Sequence, residues 1–278
     1  MKRALVLCGL LLVALASSPA LAQFDHTHSD WNRLLSRHVV TAEDGHATRV
    51  RYRAFAKDRA ALHGYLAALS HASESEFSTW SRPERLAFLI NAYNAFTIEK
   101  VLSRYPDLRS IRDFGSVFGN PWKDRFFTLL GRMQNLDGIE HGMIRAPGVF
   151  DEPRIHFAVN CAATGCPALR EEAYVAARLD AQLEAQTVRF LSDRSRNRIE
   201  RGVLRLSRIF DWYREDFSAG NRGWHATAGF VAQYARYLSD TEPERQSLRE
   251  SRSAIEFLDY DWRLNDAEGA PGRQEPHI

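Results

Sequence analysis

Apolar residues recur at helical spacing through the first third of the chain, from Asp30 to about Val39 and again from Lys57 to Leu69. A longer helix follows. Ser81 and Glu84 form a capping box with Pro83 in the first turn, and the pattern runs to about Arg104, where Tyr105-Pro106 ends it. Its middle, Phe88 to Phe96, is apolar nearly all round and is expected to be buried on most sides. Asn91 and Asn94 interrupt that stretch three residues apart, on neighbouring surface. A buried amide without partners costs on the order of 1 to 3 kcal/mol, so both need hydrogen bonds. Either they tie the helix to a loop, or they border a pocket and orient a substrate.

The period shortens in the middle of the chain. Arg125 to Leu130 and Met133 to Leu136 read as a hairpin about Gly131-Arg132, and a short helix follows from Asp137 to Arg145. Ile155 to Asn160 is the next expected strand, and Leu179 to Leu191 a helix. Arg198 to Glu200 with Val203 to Leu206 forms a second hairpin about Arg201-Gly202. Helices are expected over Ile209 to Phe217 and His225 to Leu238, and a last strand over Ile255 to Tyr260. The fold class is therefore α+β: a mostly helical single domain over residues 23–266 with a small, largely antiparallel sheet in the middle of the chain.

Residues 1–22 have the form of a signal peptide. Lys2 and Arg3 precede an apolar run from Ala4 to Ala16, and Ala20-Leu21-Ala22 offers a cleavage site. The mature chain is expected to begin near Gln23, in the periplasm or secreted. No later segment approaches the length of a transmembrane helix, so no membrane insertion of the mature chain is expected. Residues 267–278 form a polar C-terminal tail, and His26 and His28 fall near the new N-terminus, where disorder is expected. The whole chain has 37 Lys and Arg against 35 Asp and Glu; without Lys2 and Arg3 the balance is 35 against 35. Such a neutral chain gives no reason to expect a nucleic-acid partner.

The candidate chemistry concentrates in Ile155 to Cys166. On a strand, His156, Ala158 and Asn160 would share one face, and Cys161 would follow at its end. A thiolate nucleophile needs a histidine within hydrogen-bond reach, and strict extension puts the two on opposite faces, so the chain must bend for them to meet. Cys161 and Cys166, with Gly165 between them, equally suit a local disulfide, which an oxidising compartment favours. A zinc site using His141, His156 and a thiolate, with Glu140 as base, is a third arrangement. In Asp137-Gly138-Ile139-Glu140-His141, Asp137 as N-cap and Glu140 three residues on fit a capping box, and His141 is placed to face inward beside a carboxylate.

The candidate catalytic residues are thus His156, Cys161, His141 and Glu140, and the candidate substrate-binding residues Asn91, Asn94 and Asn160. Asn120-Pro121-Trp122-Lys123 reads as a structured turn, and Asp211-Trp212-Tyr213 and Asp259-Tyr260-Asp261-Trp262 as packing clusters. No P-loop, dinucleotide fingerprint, H-E-x-x-H or G-x-S-x-G occurs, so neither a cofactor nor a resident metal is expected. The expected partner is a small molecule or a peptide.

LAFLINAYNAFTIEKVL, NPWKDRFFTLLG, LDGIEHGMIR, RIHFAVNCAATGCPAL, LSRIFDWYREDF and IEFLDYDWRLND occur here in that order. In these motifs the chain resembles bacterial exported members of the family called domain of unknown function 547 (DUF547), over roughly Trp31 to Asp266. The resemblance implies a single globular unit, often exported in bacteria, without an established reaction. The family pattern centres on Asn91, Asn94, Glu140, His141, His156 and Cys161, and this chain keeps all six. Two functions fit. One is a Cys-His enzyme acting on an acyl, amide or peptide bond, with Cys161 as nucleophile and His156 or His141 as base. The other is a periplasmic binding or envelope-maintenance module in which Cys161 and Cys166 form a structural disulfide.

Overall fold

The structure, a computed structural model, describes residues 23–115 and 120–269. The expected signal segment 1–22 and the part of the expected polar tail after residue 269 lie outside the described residues. The architecture is α+β and mainly helical, as the periodicity implies. Among the described residues, the strands are distributed over three small sheets. Val39–Thr41 pairs with Thr48–Val50, Phe127–Leu129 with Arg132–Gln134, and Arg198–Glu200 with Val203–Leu206. Ile255–Phe257 adds to the last of these in parallel. Two of the hairpins close on residue pairs with positive φ, Leu130 with Gly131 and Arg201 with Gly202. That geometry matches the strand twist and completes each pairing locally. The first turn is therefore centred one residue before the expected Gly131-Arg132. The first hairpin and the short helices Tyr52–Phe55, Glu74–Thr79 and Glu242–Arg249 were not legible in the pattern.

The Arg82–Leu102 helix is central, and its capping box forms as expected between Ser81 and Glu84. Every side chain from Leu86 to Ile98 is buried. The Arg59–His71 helix packs on it, and the Ser29–His38 helix packs on that one in turn. The N-terminal residues are ordered against this layer, contrary to the disorder expected of them. Phe24 sits against Trp80 and Phe88, and His28 is buried with its Nδ1 bonded to the Tyr65 hydroxyl at 2.7 Å.

Two apolar clusters divide the interior. The first gathers around the central helix, and the second is a group of phenylalanines, Phe157, Phe190, Phe210, Phe217 and Phe230. The Leu179–Ser192 helix serves both, with Leu179 and Leu183 in the first and Phe190 and Leu191 in the second. The segment around His156 also runs between them, since Ile155 and Ala158 face the first cluster and Phe157 the second.

That segment is not the expected strand. Pro153–Phe157 is a 3-10 turn, and the irregular backbone continues to Tyr174. Glu152 caps the turn by accepting from the Arg154 amide, and Pro153 at its start has no amide to offer a strand partner. Arg154 is buried, pinned by Glu152 at 2.8 Å, Asp180 at 2.6 Å and Glu184 at 3.1 Å. The peptide groups beyond it are satisfied by side-chain amides. Asn94 Nδ2 donates to the Ala158 carbonyl at 3.0 Å, and the Asn160 amide donates to Asn94 Oδ1 at 2.8 Å. Asn91 does the same at Tyr174, donating to its carbonyl at 2.7 Å and accepting from its amide at 3.0 Å. Gln186 donates to the carbonyls of Phe157 at 3.1 Å and Ala168 at 2.7 Å. A strand pattern of alternating burial was the wrong inference because both sides of this segment are interior.

Two predictions follow from these contacts. Asn94→Ala leaves a buried carbonyl and a buried amide unpaired, and should lower unfolding free energy by roughly 2 to 4 kcal/mol in urea denaturation. A loss below about 1 kcal/mol would mean that water or another group takes over. Burial pushes the His28 imidazole down to about 4, against the attraction of Asp25. The unfolded chain then binds the proton first, so this contribution to stability is complete above pH 6.5 and is lost as pH falls toward 4. His28→Asn, which tolerates the left-handed backbone at this position, should melt at a temperature that falls less steeply over that range; an identical pH profile would count against His28.

Candidate functional site

A cleft of about 270 Å³ opens between the two apolar clusters. Tyr93 and Val159 reach it from the first, and Ile209 from the second, together with Tyr213 and Tyr260 packed against the latter. Glu140, His141, His156 and Cys161, the four residues expected to be catalytic, all line it. Asn91, Asn94 and Asn160 are placed behind the cleft, with their amides bonded to backbone groups; Asn160 donates to the Pro167 carbonyl at 2.8 Å and accepts from the Ala162 amide at 2.9 Å.

His156 forms the floor. The 3-10 turn supplies the bend that the sequence demanded, so that His156 and Cys161 reach one cleft. His156 is 2% exposed, and its Nε2 lies 2.6 Å from Asp216 Oδ2. A carboxylate can only accept, so neutral His156 carries its proton on Nε2 and presents a lone pair at Nδ1. That Nδ1 is buried and has no hydrogen-bond partner among the described residues. The ring stacks on Tyr213 with centroids 3.8 Å apart.

Asp216 is shared. Arg145 donates to it twice, at 2.6 Å and 2.9 Å, and its guanidinium lies 4.8 Å over the Tyr213 ring. Burial opposes the Asp216 carboxylate, but the bonds from His156 and Arg145 outweigh it and hold the group well below the usual carboxylate range. Burial is the largest influence on His156 and pushes it down, assisted by Arg145 and opposed by the hydrogen bond to Asp216 and the charges of Glu140 and Asp216. The imidazole is therefore neutral at neutral pH, a base or hydrogen-bond acceptor with a fixed tautomer.

Glu140 and His141 come from the Gly138–Ile144 helix, which has π geometry, and Arg145 caps its end, its amide donating to the Glu140 carbonyl at 2.9 Å. The expected Asp137 capping box does not form. Asp137 is already helical, and Asn135 caps instead, its Oδ1 accepting from the Gly138 amide at 2.6 Å. Asn is among the strongest capping residues, and here it lies at the position that the wide turn selects. Glu140 is thereby free to enter the cleft wall, where its Oε1 accepts the Tyr213 hydroxyl at 2.6 Å. His141 is exposed rather than facing inward; its Nδ1 accepts from Arg145, and its Nε2 lies 3.8 Å from Asp137.

Cys161 and Cys166 are bonded to each other as a disulfide, with Cα atoms 6.3 Å apart. The Tyr260 hydroxyl lies 3.2 Å from both sulfurs. Within the loop, Ala162 holds a left-handed backbone at φ 64°, fixed by its bond to Asn160. Gly165 permits a close approach: a Cβ there would sit 2.9 Å from the Asp261 backbone nitrogen, and its amide donates to the Asp261 carbonyl at 2.8 Å. The zinc arrangement of His141, His156 and a thiolate is not assembled, and among the described residues no three His, Cys, Asp or Glu side chains are grouped to hold a metal ion. No helix among the described residues is long and apolar enough to cross a membrane.

Sequence reasoning missed Asp216, Arg145, Tyr213 and Tyr260 as site residues. Tyr213 and Asp216 lie in the WYREDF motif, in the run of turns after the Ile209–Trp212 helix. An acid three residues after an aromatic, in a chain with an unassigned histidine, was the available signal. The mouth of the cleft is aromatic, with Trp122, Trp212 and Trp262 joining Tyr260 in its wall.

Residues 77–191 match the family model described as "Protein of unknown function, DUF547", in agreement with the resemblance carried by the four motifs within that segment. The matched segment includes Tyr93, Glu140, His141, His156 and the disulfide, and ends before Tyr213, Asp216 and Tyr260. No curated protein and no solved structure matches the chain.

The Arg145–Asp216–His156 arrangement can be tested by ring-proton NMR. His156 should titrate below 6.5. Arg145→Gln, by removing the cation that disfavours imidazolium, should raise its pKa. An unchanged or lower value in the variant would show that Arg145 does not govern this proton.

Proposed function

We propose that this protein binds a small molecule or a peptide in the cleft over His156, outside the cytoplasm, with the Cys161–Cys166 disulfide as a structural part of the wall. One observation carries the reading: both cysteines are engaged in a bond to each other, while His156, with a buried and unpartnered Nδ1, lines an aromatic-walled cleft. Concave sites of this kind, mostly apolar with a few fixed polar groups, are the usual form of a small-ligand site. The disulfide also supports an exported location, since such bonds persist in oxidising compartments.

A second reading is a cysteine-dependent hydrolase or transferase. It is favoured by the presence of Cys161, His156, His141 and Glu140 around one cleft. It requires a free Cys161 thiol, and therefore reduction of the disulfide by an external dithiol: the S–S bond breaks, Cys161 and Cys166 together gain two electrons and two protons, and the dithiol becomes a disulfide. A proton on Cys161 would then have to reach His156 Nδ1 for a thiolate to form.

Thiol titration of protein exported to the periplasm, native and then denatured without reductant, separates the two. The binding reading expects no free thiol in either state. It also expects the double variant Cys161→Ser with Cys166→Ser to lose about 2 kcal/mol of stability, the chain-entropy value for so small a loop, while ligand-induced changes in tryptophan fluorescence persist. Two thiols, one reacting rapidly at neutral pH in the native protein, would overturn it in favour of the enzyme.

A further inference from the structure

The cleft carries more negative than positive charge. Glu140 is 5% exposed and lines the wall, yet its side-chain hydrogen bond comes from a phenol, Tyr213 at 2.6 Å. Among the described residues it enters no ion pair, and Arg145, just after its helix, is committed to both oxygens of Asp216. Asp137 lines the same cleft, with only His141 near it at 3.8 Å. Burying an ionised carboxylate costs several kcal/mol unless a counter-charge compensates. Arg145 attracts Glu140 without pairing with it, so the carboxylate lining the cleft has no direct counter-ion among the described residues.

The rest of the wall suits a cation too. Tyr260 and Trp262 have ring centroids 4.5 Å apart, Trp212 lies 4.9 Å from Tyr260 and 5.7 Å from Trp262, and Trp122 closes the group. Trp212 is 46% exposed, so part of its ring surface is open at the mouth. Aromatic faces beside a carboxylate form the pattern that recognises ammonium groups, through ring quadrupole and charge together. An anionic ligand would meet Glu140 and Asp137 unscreened.

We infer that the ligand is a small organic cation, with an ammonium group seated against Glu140 among the aromatic side chains. The inference rests on the binding reading and specifies its ligand class.

The test uses the full mature chain with its disulfide intact, and three probes: choline, ethanolamine, and the uncharged analogue of choline in which carbon replaces nitrogen. Binding is followed by tryptophan fluorescence and calorimetry. At least one of the two cations should bind saturably, and the carbon analogue about tenfold or more weaker, within the range expected for a desolvated cation–π contact. Glu140→Gln should weaken the cation by a similar factor and leave the carbon analogue unchanged. Trp212→Leu, at an exposed position where folding is not at risk, should weaken the cation several-fold. Equal binding of choline and its carbon analogue, or cation affinity indifferent to both substitutions, overturns the inference while the binding reading stands. No saturable response to either cation also overturns it; the binding reading then depends on whether the thiols prove bonded and whether a neutral or anionic ligand is found.

Discussion

Five side-chain amides hold a buried run of irregular backbone, and the cleft depends on that support. Between Pro153 and Tyr174 the chain crosses the interior without regular pairing. Loops usually stay at the surface because their peptide groups need water. Here Asn91, Asn94 and Asn160 each give one donor and one acceptor to backbone groups, reproducing what a neighbouring strand would provide. Gln182 does so as well, donating to the Ala173 carbonyl at 2.8 Å and accepting from the Val175 amide at 2.9 Å. Freed from strand geometry, the segment can bend sharply, and that bend brings His156 and Cys161 to one cleft.

The electrostatics of the floor follow from the same burial. A buried imidazole beside a lone carboxylate would tend toward the imidazolium form. The bidentate bond from Arg145 compensates the Asp216 charge, so the desolvation of His156 prevails and the ring remains neutral. Arg145 reaches Asp216 from the C-cap of the π-helix that carries Glu140 and His141. One short helix therefore sets both the protonation of the floor and the charge of the wall. A histidine arranged in this way is a fixed acceptor first. Proton transfer would require a ligand that can itself supply or remove the proton at Nδ1.

The sequence made local structure legible wherever chemistry at chain neighbours decided it. The Ser81–Glu84 capping box, the Arg201-Gly202 hairpin turn and the buried face of the central helix were all recoverable from short windows. The candidate site was half legible: Glu140, His141, His156 and Cys161 share the cleft, and the need for Asn91 and Asn94 to find partners was correctly anticipated. The failures have a common cause. The strand expected at Ile155 and the cap expected at Asp137 were assigned from local patterns, whereas contacts with Asn94, Gln186 and Asn135 decide those backbones. Asp216 lies sixty residues from His156, a separation no periodicity can bridge.

The division of labour within the cleft bears on what the family resemblance can say about ligands. The matched residues 77–191 supply the floor and the disulfide. The opposing wall comes from Ile209 to Tyr213 and from Tyr260 to Trp262, beyond the match. Those later residues are drawn onto the disulfide loop by backbone bonds, from Thr164 to Arg263 at 2.7 Å and from Asn265 to Ala162 at 3.0 Å, and by the Tyr260 hydroxyl on the sulfurs. A different set of aromatic residues there would change what the cleft admits while leaving the amide supports beneath the floor intact. On the binding reading, the floor would constrain how a ligand is held and the later wall which ligand it is.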